Sequence, residues 1–265
     1  MQVRSGDTEI HYQVLGSGPD VVLLHPFPAH RGVWMPVAEA LASRYRLILP
    51  DLRGHGESQP GAGPATMSKH AADLARVCDD AGVTKAVFAG NSIGGYIVFE
   101  FWRQNRARVK ALALCDTRAQ ADSAEGRTAR LKSVEDVEKH GPDAFIEANL
   151  DKLLGESTRR NRPDIVDAAC AMMRRMTVAG IAAVQRGMAE RPDSVATLAT
   201  VDVPTLLLVG NEDTVTPMSD AELMRSHIRG SSLTVIPKAG HYAPLEQPQA
   251  VLESVREFLG RHARL

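Results

Sequence analysis

The sequence predicts an α/β fold, a mostly parallel sheet flanked by helices on both faces. Three observations carry this: short unbroken apolar runs, helix-period segments between them, and one long interruption with no such run. In chain order, Gln2 to Val14 alternates polar and apolar residues and ends at Gly16-Ser17-Gly18-Pro19, the pattern of antiparallel strands closed by a turn. Apolar runs follow at Val21–Leu24, Tyr45–Leu49, Ala86–Ala89, Val109–Leu114, Thr205–Val209 and Leu233–Ile236, each read as a strand buried on both faces. Helical patterns separate them at Trp34–Ala42, Ser68–Ala81, Ile93–Asn105, Ser219–Ile228 and Pro248–Leu259. Strands alternating with helices imply right-handed crossovers.

Between Thr117 and Val201, about 85 residues contain no buried-strand run. There Phe145, Ile146, Leu150, Leu153 and Leu154, and then Ile165, Ala169, Met172, Met173 and Met176, fall on helix faces. This insertion leaves the C-terminal end of a strand, the edge at which open α/β sheets bind ligands, so it reads as a lid over a site. Packing between its own helices is the plainer role of the three methionines.

Composition narrows the function. The 265 residues carry 31 Lys and Arg against 32 Asp and Glu, with 5% aromatics, so neither a phosphate-binding basic face nor a base-stacking platform is expected. Three unpaired cysteines, Cys78, Cys115 and Cys170, read as reduced thiols in the cytoplasm. The first fifteen residues lack an apolar signal core, and no apolar run is long enough to span a bilayer. No His-Glu-x-x-His, Cys-x-x-Cys or Gly-x-Gly-x-x-Gly motif occurs, so neither a metal nor a dinucleotide cofactor is expected.

The chemistry concentrates in Gly90-Asn91-Ser92-Ile93-Gly94, a Gly-x-Ser-x-Gly pattern lying between a strand and a helix. That context makes a nucleophile elbow: a sharp turn lifts the serine hydroxyl clear of the sheet at a helix N-terminus, where free amides favour an oxyanion. A serine needs a base, and the base needs an orienting acid. His241, in the loop between the last strand and the last helix, is the one histidine of nine at the same sheet edge. His11, His70, His140, His227 and His262 read as solvated strand or helix residues, whereas His30 and His55 border the edge. Asp213 follows the penultimate strand, giving the chain order Ser, Asp, His; Asp116 and Glu212 are its rivals. The Ile93 amide would be one oxyanion donor. In His25-Pro26-Phe27-Pro28 only Phe27 offers an amide between the prolines, making it the second.

With these motifs in order, the chain resembles the α/β-hydrolase fold superfamily over nearly its whole length. Asp51-Leu52-Arg53-Gly54-His55-Gly56-Glu57-Ser58 is similar to the family's Asp-x-Arg-Gly-x-Gly-x-Ser loop, and Gly240-His241 with Pro244-Leu245-Glu246-Gln247-Pro248 to its histidine loop. The resemblance implies an eight-stranded sheet, a core of residues 1–116 and 184–265, and a helical cap of residues 117–183 after strand 6. It implies a triad of Ser92, Asp213 and His241, oxyanion amides from Phe27 and Ile93, and a structural role for Arg53 to Ser58. The chain departs from the family at Pro26, where glycine is usual, which alters the loop that carries Phe27. A serine nucleophile excludes the dehalogenase and epoxide hydrolase branches and looks most like small carboxylesterases and 3-oxoadipate enol-lactonase-like proteins.

The expected activity is therefore hydrolysis of small to medium carboxylic esters through an acyl-enzyme. Alternatives on the same triad are lactone opening, C–C bond hydrolysis and cofactor-free haloperoxidase or perhydrolase activity. A ligand-binding receptor on a hydrolase scaffold is the non-enzymatic one.

Overall fold

In the computed structural model, which describes residues 1–263, eight strands form one sheet. Arg264 and Leu265, the end of the expected core segment, lie outside the described residues. The strands are β1 (Gln2–Ser5), β2 (Thr8–Leu15), β3 (Asp20–Leu24), β4 (Arg46–Pro50), β5 (Ala86–Asn91), β6 (Val109–Cys115), β7 (Thr205–Gly210) and β8 (Ser232–Ile236). Their spatial order is β1-β2-β4-β3-β5-β6-β7-β8. β2 runs antiparallel to both its neighbours, and every other pairing is parallel, as the alternation of strand and helix predicts.

Twelve α-helices are assigned among the described residues. They are α1 (Met35–Leu41), α2 (Met67–Asp80), α3 (Ile93–Asn105), α4 (Ala124–His140), α5 (Pro142–Leu153), α6 (Glu156–Asn161), α7 (Pro163–Met173), α8 (Val178–Ala189), α9 (Val195–Leu198), α10 (Met218–His227), α11 (Ala243–Glu246) and α12 (Pro248–His262). Their starts follow side-chain chemistry. Thr66, Ser123 and Thr177 accept the amides of Lys69, Gly126 and Gly180, satisfying N–H groups that the first turn leaves free.

The period of two along each central strand divides the core. Val22, Leu24, Phe88 and Leu112 pack with Leu74, Val77, Ile97 and Phe101 on the α2–α3 face. Val21, Leu23, Val87 and Ala111 pack with Val37, Leu41, Val255 and Leu259 on the α1–α12 face. Burying a Val or Leu side chain this fully is worth roughly 1.5–3 kcal/mol, so these strands hold their register firmly. β8 departs from the sequence reading: Val235 is 43% exposed. The strand is the sheet's outer edge, and its apolar run is covered on one side only.

Helices α4 to α9 occupy the connection from β6 to β7. The expected boundary at residue 183 falls inside α8, which runs unbroken to Ala189. Met172 and Met173 are buried with Ile146, Leu153 and Leu154, and this small core continues into Tyr242 and Leu245 beside β8. The insertion is therefore packed onto the histidine-bearing loop.

Candidate active site

Ser92 joins β5 to α3 with φ 54° and ψ −116°, a conformation in which a side-chain residue is strained. The strain is held by contact. A Cβ on Gly90 would stand 2.5 Å from the carbonyl oxygen of Gly94, and one on Gly94 2.6 Å from that of Leu24, so strand and helix meet only because both are glycine. The Ser92 amide donates to the Cys115 carbonyl at 3.0 Å, and Thr117 Oγ1 donates to the Ser92 carbonyl at 2.7 Å. The end of β6 thereby pins both sides of the strained residue.

His241 follows β8, and its ring joins two partners. Its Nδ1–H donates to Asp213 Oδ2 at 2.8 Å, leaving Nε2 to accept from the Ser92 hydroxyl at 2.7 Å. The structure thus brings Ser92, His241 and Asp213 into one hydrogen-bonded series, and Asp213 fixes the imidazole tautomer. Asp213 is itself held by four donors: Oδ1 accepts the amides of Val215 (2.7 Å) and Thr216 (3.1 Å), and Oδ2 accepts Thr216 Oγ1 (2.6 Å) besides the imidazole. Burial alone would raise the Asp213 pKa, but the histidine and these donors outweigh it and hold the carboxyl below its ordinary value.

The two rival acids lie close by and serve otherwise. Asp116 is fully buried; burial and the neighbouring charge of Asp213 push its pKa far up. Its Oδ1 accepts the Gly210 amide at 2.7 Å, bracing the strand that leads to Asp213. Glu212 turns away from His241 and binds Ser157 at the start of α6.

Phe27 and Ile93 each leave their N–H without a protein acceptor among the described residues. The loop carrying Phe27 is tied down by His25, whose Nε2 accepts the Leu52 amide at 2.9 Å and whose Nδ1–H donates to the Pro26 carbonyl at 2.9 Å. His25 therefore orders the segment in which Pro26 replaces the usual glycine. His55 lies beneath it, its ring 4.9 Å from that of His25 and 5.7 Å from that of Phe27, and it does not reach Ser92. His30 caps the turn at Arg31–Trp34 by accepting the Gly32 amide. Arg53 makes a two-pronged ion pair with Asp73 and reaches Asp7, which closes the Arg53 to Ser58 loop structurally.

His70 corrects the sequence reading. It is buried on the inner face of α2 rather than solvated, because that face meets the β2–β4 side of the sheet, and neither ring nitrogen has a hydrogen-bond partner among the described residues. Sequence reasoning also missed Asn91, whose Nδ2 donates to the His241 carbonyl at 3.1 Å, and Thr216. Thr216 had a signal: an Asp followed three residues later by Thr is a turn in which the carboxylate accepts local donors.

A cleft of about 720 Å³ opens between α4 and α5, walled by Arg130, Asp136, Val137, Asn149, Gln185 and Phe145. The Phe145 ring, which lines this cleft, lies 5.7 Å from that of Phe27, so the cleft adjoins the loop that carries Phe27. Among the described residues no group of three or more His, Cys, Asp or Glu could hold a metal ion. No helix among them is long and apolar enough to cross a membrane.

The chain is 26% identical over 258 residues to 3-oxoadipate enol-lactonase 1 of Acinetobacter baylyi, covering 97% of this chain and 94% of that protein. It is 29% identical over 251 residues to the pimeloyl-[acyl-carrier protein] methyl ester esterase of Nitrosomonas europaea, covering 91% and 95%. A thermophilic esterase from Thermogutta terrifontis, solved with malate bound, superposes with a TM-score of 0.95 at 40% identity, covering 98% of both chains. The model of the alpha/beta hydrolase fold family matches residues 19–248, which takes in the elbow, the Asp213 turn and the histidine loop. On its sheet order, its strained serine turn and this match, the chain belongs to the alpha/beta hydrolase family.

Proposed function

We propose that the protein hydrolyses small to medium carboxylic esters or lactones through an acyl-enzyme formed on Ser92. The carrying observation is the series Ser92 Oγ, His241 Nε2, His241 Nδ1 and Asp213 Oδ2, joined at 2.7 and 2.8 Å. His241 takes the hydroxyl proton as Ser92 Oγ bonds to the carbonyl carbon, and the carbonyl oxygen becomes an oxyanion facing the Ile93 and Phe27 amides. Collapse of that intermediate breaks the bond to the alkoxy oxygen, which receives the proton from His241. A water then adds to the acyl carbon, His241 accepts its proton and returns one to Ser92, and the acid departs. With a lactone the alcohol stays tethered to the acyl group and both leave together at the second stage. Asp213 stays ionised throughout and stabilises the imidazolium.

Relatives named as an enol-lactonase, a methyl ester esterase and an esterase support this substrate class. The test is a panel of p-nitrophenyl esters of increasing acyl length with one lactone, run on wild type and Ser92→Ala, together with a fluorophosphonate probe. Turnover and labelling that both vanish in Ser92→Ala are expected; turnover at the wild-type rate would overturn the reading. A ligand-binding protein would leave wild-type Ser92 unlabelled and turn over no ester of the panel.

A further inference from the structure

We propose that Glu246 and Glu212 are positioning residues that fasten the Leu153–Ser157 turn of the insertion against the His241 loop, so that the insertion forms part of the seat of the base. This rests on the reading of His241 as the general base.

His241 belongs to no helix or strand, and its own peptide groups must be fixed from outside. The His241 amide donates to the Leu153 carbonyl at 3.0 Å, at the end of α5, and its carbonyl accepts from Asn91. One side of the residue is therefore held by the insertion and the other by the elbow.

Glu246 surrounds it. This carboxylate is 1% exposed, and its Oε1 accepts the amides of Gly240 (2.9 Å) and Tyr242 (3.1 Å), the residues on either side of His241. Its Oε2 accepts the Gly155 amide at 2.7 Å, 91 residues away in sequence. A single buried carboxylate thus ties the histidine loop to the turn between α5 and α6. Burial pushes the Glu246 pKa up, and the three amide donors oppose that rise.

Glu212 completes the clamp from the side of the acid. It adjoins Asp213 and accepts the Ser157 amide at 2.7 Å and the Ser157 hydroxyl at 2.5 Å. Its own amide donates to the Ala239 carbonyl at 2.8 Å. Two glycines let the backbones close up: a Cβ on Gly155 would stand 2.6 Å from Glu212 Oε2, and one on Gly240 2.7 Å from the carbonyl carbon of Leu154. The residues beside Asp213 and those beside His241 therefore grip the same five-residue turn. At this end the insertion is a fixed support.

The experiment compares Glu246→Gln and Glu212→Gln with wild type on a p-nitrophenyl ester, reading kcat, KM, the acid limb of the kcat/KM profile and the thermal midpoint. A displaced base of the order of 1 Å costs about 10²-fold. Glu246→Gln is expected to lose 10- to 100-fold in kcat with KM changed less than threefold. Its acid limb moves towards that of an ordinary histidine as the contact with Asp213 loosens. Glu212→Gln moves the same way by a smaller factor. A folded Glu246→Gln protein with wild-type kcat and an unmoved limb overturns the proposal, since a purely stabilising role would change the thermal midpoint alone. If Glu246→Gln does not fold, the acid limb of Glu212→Gln decides: a shift supports the clamp and no shift overturns it. Failure of the underlying reading looks different, because Ser92→Ala would then retain turnover.

Discussion

His241 Nδ1 lies 2.8 Å from Asp213 Oδ2, with both side chains closed to solvent, while a second carboxyl, Asp116, is buried nearby with its pKa pushed far up by burial and by the charge of Asp213. Burial and the charge of Asp213 disfavour a second charge at Asp116, and Asp213 is the carboxyl hydrogen-bonded to the ring. Asp213→Asn is accordingly expected to lower kcat by about 10³- to 10⁴-fold, because the amide no longer holds the imidazole in the tautomer Ser92 needs. Asp116→Asn keeps a side chain of the same shape and is expected to retain kcat within tenfold. Steady-state kinetics on one ester check both, and a mild Asp213→Asn would mean that Asp116 supplies the acid.

The same pair sets the pH dependence. Burial by itself would lower the His241 pKa, but the charge and hydrogen bond of Asp213 outweigh it and raise the value above the ordinary 6.5. The proposed base works unprotonated, so kcat/KM should climb with pH and reach half its maximum above 6.5. Initial rates between about pH 5 and 9 measure the limb. A half-maximum near pH 5 would contradict the assignment.

Acid should destabilise the fold through three buried histidines that take no part in the proposed chemistry. Burial lowers His25 and His55 to about 3, and His70 well below its ordinary value. Each is neutral when folded and gains a proton on unfolding below 6.5, so its stability contribution is complete above that pH and is lost as pH falls towards 3. At pH 5 the loss is on the order of 2 kcal/mol each for His25 and His55. Urea midpoints at pH 7.5, 6.5 and 5.5 would show it. His70→Leu should flatten part of this slope and gain about 1 kcal/mol at neutral pH, because neither His70 nitrogen has a partner to lose among the described residues.

Glycine substitutions should separate by local space. Gly94→Ala places a methyl group 2.6 Å from the Leu24 carbonyl oxygen and should cost about 3 kcal/mol or fail to fold. Gly260→Ala, on the exposed face of α12 with no described atom within 4 Å of its Cβ position, should instead gain about 1 kcal/mol. Thermal midpoints moving in opposite directions are the expected result.

The sequence by itself determined the order of strands and helices, because a strand buried on both faces must be apolar throughout and a helix between such strands must repeat every 3.6 residues. Gly90, Ser92 and Gly94 announced their turn for a similarly local reason: the elbow depends on residues two apart in the chain. The chain order of Ser92, Asp213 and His241 pointed to three strand ends whose side chains the fold joins by hydrogen bonds, but whether Asp213, Glu212 or Asp116 faces the ring depended on side-chain direction, which no periodicity encodes. His70 read as surface and is buried, since a polar residue on a helix says nothing of the sheet packed against it. The tertiary structure alone brought Glu246 to Gly155 and Glu212 to Ser157. Those bonds run from carboxylates to backbone amides tens of residues away, and every residue but proline carries such an amide, so only the folded chain selects which one is met.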